Sequence, residues 1–283
     1  MSILNKIRDY QAQRRQKKIS CKYGLGIIDP KEFEAEEGKS FFILGSAGSI
    51  NYLTKHQWSE IEKGFSVGMN KWLIHDFVPD ATSLEKNWHI DFYEQIYNDQ
   101  RLKESKLKFL FYPAENIQKY EGFPFKVPSY IIAKIRLHNA ARKIIRSSIQ
   151  LDKFHNDPLY IEIVKEKLKK SGLNYEKKGS VYRLVQFAIA AGYRHIVFCG
   201  IDLNNVNYFW DNNDFLKKRG VESYNLKDQK GKIHATEAKS KKSLPMSLVI
   251  HSLQKGLKGK VTFETSSSHS KLAEFLSVWN PQK

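Results

Sequence analysis

Four stretches of this sequence combine residue types that can hold or transform an anionic ligand. Gly45-Ser46-Ala47-Gly48-Ser49 follows an apolar run and precedes a helix signal. A glycine-rich turn in that setting presents backbone N–H groups to a phosphate, and Gly45 and Gly48 allow a close approach. The stretch lacks both the Gly-Lys-Ser/Thr of a Walker loop and a clean GxGxxG, so a tight structural turn is the competing reading. Gly200-Ile201-Asp202-Leu203-Asn204 closes another apolar run. Ligands of open α/β sheets bind just beyond the carboxyl ends of the strands, so Asp202 falls where a catalytic or ligand-holding carboxylate belongs. An Asp that merely caps the turn is the plainer alternative. His234 lies in a polar segment after Asp202, where an imidazole can act as a base or neutralise a phosphate. Thr265-Ser266-Ser267-Ser268-His269 again follows an apolar run and precedes a helix pattern; Ser267 and Ser268 offer hydroxyls to a polar ligand or a cap to the helix.

The elements that must position these groups alternate between strand and helix. Phe41 to Leu44, Phe65 to Met69, Leu107 to Phe111, His195 to Cys199 and Val261 to Glu264 are short apolar runs that stop at Gly, Ser or polar residues, as buried strands do. Thr54 is the expected N-cap of a helix carrying Gln57, Trp58 and Ile61. Helical patterns cover 128–147, 158–170, 180–191, 247–257 and 271–278, and Gly192 closes the third as a C-cap. The polar stretch of about 204–244 reads as a lid. This alternation predicts an α/β fold built on a doubly wound, mostly parallel, Rossmann-like sheet. A basic N-terminal segment, 1–38, is expected to precede the α/β domain, 39–283.

Composition narrows the classes. The chain has 283 residues, two cysteines without zinc-site spacing, and a formal net charge of +17. No disulfide framework is possible, no apolar run is long enough to span a bilayer, and no signal peptide is visible, so a cytoplasmic setting is expected. The charge attracts polyanions in general: nucleic acid, anionic lipid, or a phosphorylated substrate. Lys6, Arg8, Arg14, Arg15, Lys17 and Lys18 accompany Ile3, Leu4, Ile7 and Tyr10 at helical spacing, a pattern that suits an anionic membrane face as well as a solvated helix.

Taken together, the motifs resemble those of bacterial CMP-sugar glycosyltransferases: the CMP-sialic acid transferases of the Campylobacter type and the related β-Kdo transferases. Four blocks carry the resemblance. Ile43 to Ser49 is similar to the family's nucleotide loop, and Gly68-Met69-Asn70 to its second-strand Asn near the donor. Ser180-Val181-Tyr182 through Gly192-Tyr193 to Gly200-Ile201-Asp202 resembles its helix, turn and Gly-Ile-Asp strand end. His234 stands about where the family places its active-site histidine. The resemblance implies a GT-A-like sialyltransferase-type fold and transfer of a 2-keto-3-deoxy sugar acid, Kdo or sialic-acid-like, from a CMP donor to lipopolysaccharide or capsule, without a metal. It implies Asp202 and His234 as catalytic residues. Donor-binding roles fall to Gly45, Ser46, Ala47, Gly48, Ser49, Asn70, Ser180, Tyr182, Gly200, Asn204, Tyr208, Ser267 and Ser268. An inverting enzyme would use His234 to deprotonate the acceptor; a retaining one would use Asp202 as nucleophile, with His234 at the phosphate. The acceptor would be a glycan or lipid-linked glycan, met by a peripheral enzyme at the inner membrane.

Two other readings compete. A pyrophosphokinase-like enzyme would need Mg²⁺ beside Asp202, for which Asp211 and Asp214 are the near carboxylates. A nucleic-acid-binding protein would use the +17 charge, although no reader motif is present and nucleic acid is not an expected partner.

Overall fold

The computed structural model describes residues 3–84, 99–105, 107–114, 117, 135–141, 147–171, 173–175, 179–204, 207–211, 214–220, 234–237 and 244–281. Its frame is a ten-stranded sheet in which every pairing is parallel. The strands are β1 (Gly26–Ile27), β2 (Phe41–Leu44), β3 (Phe65–Met69), β4 (Ala81–Ser83), β5 (Phe109–Pro113), β6 (Ile135–Ala141), β7 (Leu173–Tyr175), β8 (His195–Cys199), β9 (Thr262–Thr265) and β10 (Ser277–Val278). Their order is β1-β6-β5-β4-β3-β2-β8-β9-β10, with β7 also on β6.

Helices α1 (Ile3–Tyr23), α2 (Lys55–Lys63), α3 (Gln100–Glu104), α4 (Ser148–His155), α5 (Tyr160–Ser171), α6 (Ser180–Ala190), α7 (Phe215–Lys218) and α8 (Met246–Gly256) complete the described elements. Strand β2 shows how they pack. Its alternate residues enter two separate cores: Phe41 and Ile43 join α6 and α8 residues such as Val185 and Val249, whereas Phe42 and Leu44 join Ile61 of α2 and Leu102 of α3. A sheet covered on both faces must be apolar at every position, and β2 and β3 are buried throughout. The expected doubly wound α/β fold is therefore observed. Thr54 caps α2 as its position predicts, in a reciprocal capping box with Gln57.

The chain reverses its direction of winding at β2, which pairs with β3 on one side and with β8 on the other. That switch point lies beyond Leu44 and Cys199, where the turns that carry Ser49 and Asp202 meet. At the opposite end of the strands, His195 bridges the Ser40 hydroxyl (2.7 Å) and Glu264 (2.6 Å), tying β2, β8 and β9 together.

Two expected helices are corrected. Within 128–147 the described residues form β6, not a helix: Ile135-Arg136-Leu137-His138 also alternates with period two, and pairing with β5 on one side and β1 on the other outweighs the helical pattern. Residues 128–134 and 142–146 lie outside the described set. The 271–278 stretch forms a single 3₁₀ turn, Lys271–Glu274, and then joins the sheet edge as β10. So short a helix gains little by itself, and edge pairing lets Trp279 pack on Phe42 at 5.1 Å. The segment before Lys39 is built into the same sheet: β1 pairs with β6, and Ile19, Leu25, Ile28 and Phe33 are buried in the cores.

Candidate functional site

At the switch point the ends of β2 and β8 touch. Gly45 N–H donates to Cys199 O (2.7 Å) and Ala47 N–H to Gly200 O (3.0 Å). Gly200 adopts a φ of 65°, a left-handed conformation that suits glycine. The chain beyond it carries Asp202, which is 6% exposed. Ser49 Oγ donates to Asp202 Oδ1 at 2.6 Å, so the glycine-rich loop and the Gly-Ile-Asp turn meet through their two most polar side chains. Burial pushes the Asp202 carboxyl above its ordinary range, and hydrogen bonds from the Ser49 hydroxyl and backbone oppose that rise. The next residue, Leu203, has a φ of 64°, a left-handed conformation unusual for a non-glycine residue. A buried carboxylate beside a strained backbone is an arrangement found at sites of chemistry.

The loop itself is occupied differently from the expectation. Gly45, Ala47 and Gly48 N–H groups do not face an open cleft as a ready phosphate cradle. They are bonded to Cys199, Gly200 and Asn207 carbonyls, and Ser46 O accepts from Phe209 N–H. Residues 207–211 lie across the loop, with an antiparallel bridge between Ala47 and Tyr208, and Asn51 Nδ2 donating to Phe209 O at 2.9 Å. This is the described start of the lid; 205–206, 212–213, 221–233 and 238–243 lie outside the described residues.

The remaining groups join through short links. Asn204 Nδ2 donates to His269 O (2.6 Å), and His269 N–H donates to Ser267 Oγ (3.1 Å), which places Asn204 against the Ser267-Ser268 turn. Ser268 is exposed, whereas Ser270 is the residue that caps the 3₁₀ turn. Lys271 N–H donates to Asp202 O, and its ammonium meets Glu237 at 2.7 Å. Glu237 is 5% exposed and also accepts from Ser247 N–H at the start of α8, so it anchors the turn 234–237 that carries His234. Within that turn Thr236 N–H donates to His234 Nδ1 at 3.3 Å. The same ring nitrogen lies 2.7 Å from the Thr236 hydroxyl, so Thr236 fixes the orientation of the imidazole through Nδ1. Ser180, 1% exposed, stands in the first turn of α6 with no partner for its hydroxyl among the described residues. A Cβ placed on its neighbour Gly179 would lie 3.4 Å from Thr236, which puts this helix start beside the His234 turn.

Asn70, with a φ of 53°, turns the chain out of β3 and sets up a residue that sequence reasoning missed. Lys71 is 8% exposed, and its ammonium lies 5.8 Å from the Trp210 ring centre. Trp210 stacks on Tyr208 at 4.6 Å, and Tyr208 bridges to Ala47. Burial pulls Lys71 down to about 8. The signal in the sequence is a lysine that, with Asn70, interrupts the mostly apolar stretch Val67 to Ile74.

Tyr182 is corrected as a donor contact. It is fully buried, its hydroxyl 2.9 Å from His155 Nε2; His155 Nδ1 meets Ser252 Oγ, which donates to Asp152. Two residues after the helix start, a tyrosine on the packed face of α6 points into the core rather than toward the Ser49–Asp202 pair. Tyr182→Phe should cost about 1–3 kcal/mol of stability by leaving a buried imidazole nitrogen unsatisfied, with nucleotide affinity unchanged in calorimetric titration. Burial holds His155 down to about 3 and His75 down to about 4, so both are neutral in the fold. A histidine depressed in this way contributes stability above its ordinary pKa and loses it as pH falls. The melting temperature of both proteins should therefore decline from about pH 6.5 downward.

Among the described residues no cluster of three or more His, Cys, Asp or Glu side chains stands together to hold a metal ion. Asp211 accepts from Tyr208 N–H at 2.8 Å, which commits that carboxylate to the turn.

No protein-family model matches the chain, and no curated protein matches it. Among solved structures, the sialyltransferase CstII from Campylobacter jejuni is similar to it. With the substrate analogue CMP-3FNeuAc, the TM-score is 0.48 at 16% identity, covering 85% of this chain and 86% of that chain. With a trisaccharide acceptor and CMP, the TM-score is 0.43 at 15% identity, with the same coverage.

Proposed function

We propose that this chain is a glycosyltransferase that moves a 2-keto-3-deoxy sugar acid, Kdo or sialic-acid-like, from a CMP donor to a hydroxyl of a surface glycan such as lipopolysaccharide or capsule. The observation that carries the reading is the buried Ser49–Asp202 pair at the winding switch point, where α/β sheets bind ligands. The motif resemblance supplies the donor class.

The retaining route suits the buried Asp202 carboxyl, which then serves as the nucleophile while the His234 ring attends the departing phosphate. In this route an Asp202 carboxylate oxygen attacks the anomeric carbon, and the bond from that carbon to the phosphate oxygen breaks. CMP leaves with the electron pair, its charge met by His234 and by the Lys71 ammonium. The acceptor hydroxyl then displaces Asp202, passing its proton to a phosphate oxygen of the departed CMP and restoring the free carboxylate. No metal is proposed, since the Lys71 ammonium supplies the positive charge and the His234 ring a further polar contact.

The test is a thermal-shift and calorimetric titration with CMP, ADP and ATP, with and without Mg²⁺. CMP alone should raise the melting temperature by mass action. Lys71→Met should weaken CMP about tenfold or more, the loss expected when a charged hydrogen-bond donor to phosphate is removed. In the parent protein, affinity should fade as pH rises through about 8, where Lys71 loses its proton. Stabilisation by ATP only with Mg²⁺ would replace this reading with the pyrophosphokinase one.

A further inference from the structure

The basic N-terminal helix has no part in the site, yet its two faces differ in a way that calls for a partner. At about 100° per residue, Ile7, Tyr10, Arg14, Lys17 and Lys18 fall in one sector about 100° wide. The buried Gln16 and Ile19 lie on the opposite side, against the sheet. Apolar residues thus occupy both faces of α1. One set is explained by packing; the other is not, because Ile7 is 47% and Tyr10 63% exposed. Arg14, Lys17 and Lys18 are exposed beside them.

A helix that only needed to be solvated would gain nothing from an exposed Ile and Tyr one turn apart. A nucleic-acid surface would use the cations but leave Ile7 without a role. An anionic lipid surface uses both: the cations meet the headgroups, and Ile7 and Tyr10 enter the interface beneath them. We propose that the outward face of α1 docks the protein on anionic phospholipid bilayers. α1 packs on the sheet through Ile19, so docking holds the whole domain at the surface without unfolding the helix.

The test is flotation of the full chain with vesicles of neutral phosphatidylcholine, and with the same vesicles enriched in phosphatidylglycerol. The parent should float only with the anionic vesicles, and less at high salt. The triple change Arg14→Gln, Lys17→Gln, Lys18→Gln should weaken that partitioning about a hundredfold, given the attraction each surface cation supplies. The double change Ile7→Ser, Tyr10→Ser should weaken it several-fold with the charge intact. Both variants should keep the parental melting temperature, since the altered side chains are exposed. Equal flotation with both vesicle types, or partitioning unmoved by both variants, would overturn the proposal. So would tighter binding to duplex DNA than to anionic vesicles, lost in the triple variant but kept in the double one. None of these outcomes depends on the glycosyl-transfer reading, which CMP titration tests separately.

Discussion

An Asp202→Asn enzyme is expected to lose about a thousandfold or more in transfer from a CMP-sugar, the scale seen when a nucleophile is removed, while folding at least as stably as its parent. The two effects share one cause. Burial raises the Asp202 carboxyl, and the bonds from Ser49 oppose that rise. A carboxyl raised on folding disfavours the folded state once it ionises. That cost is absent below the ordinary carboxyl range, at about pH 4, and grows as pH rises through the elevated native value. Asparagine keeps an oxygen for Ser49 to bond but carries no charge. The melting advantage of the variant should therefore be nil at the acid end and largest at neutral pH and above. Turnover and melting temperature, measured across that range, test it. A variant that keeps its turnover, or that is less stable at every pH, would remove Asp202 from the chemistry.

The second large effect is on folding. A Cβ added at Gly45 would lie 2.2 Å from Gly200 O and 2.3 Å from Ile201 Cδ1. The carbonyl cannot retreat, because the Leu44–Cys199 register and the Gly45 N–H bond hold the two strand ends together. Gly45→Ala should cost about 3 kcal/mol through overpacking, which lowers the melting temperature of a chain this size by roughly 8 °C. Gly48, three residues on, has nothing nearer than 3.7 Å to an added Cβ. Gly48→Ala should leave stability within about half a kcal/mol. The pair separates two roles that a glycine-rich loop confounds. A loss of CMP affinity in Gly48→Ala at unchanged melting temperature would place the donor on the loop. Equal stability of the two variants would refute the packing account of Gly45.

The sequence made the central strands legible because burial on both faces favours short, mostly apolar stretches, and β2, β3 and β8 are such stretches, interrupted only by Ser66 in β3 and His195 at the start of β8. It was less informative at the sheet's flanks. Ile135 to His138 fits either period, and only the partners β5 and β1 decide between them. In the site, Ser49 and Asp202 could be found because each directly follows a strand, where topology alone confers meaning. Tyr182 could not be placed, since only two residues separate Ser180 at the helix start from an interior hydroxyl. Lys71 and Lys271 were hidden among 47 basic residues. What distinguishes them is burial over Trp210 and a bond to the anchored Glu237, and both are properties of contacts far apart in the chain.

The placement of β2 at the centre of the sheet bears on how the chain is made. Its neighbour on one side, β3, emerges at once; its neighbour on the other side, β8, is synthesised only after α6. A ribosome that has released everything up to α6 has therefore exported a growing parallel sheet with one bare flank, Phe41-Phe42-Ile43-Leu44, whose backbone donors and acceptors seek a strand. β1 faces a similar wait for β6. This topology makes a buried central strand early and its second partner late, leaving the β2 edge open to misassociation until β8 has been made.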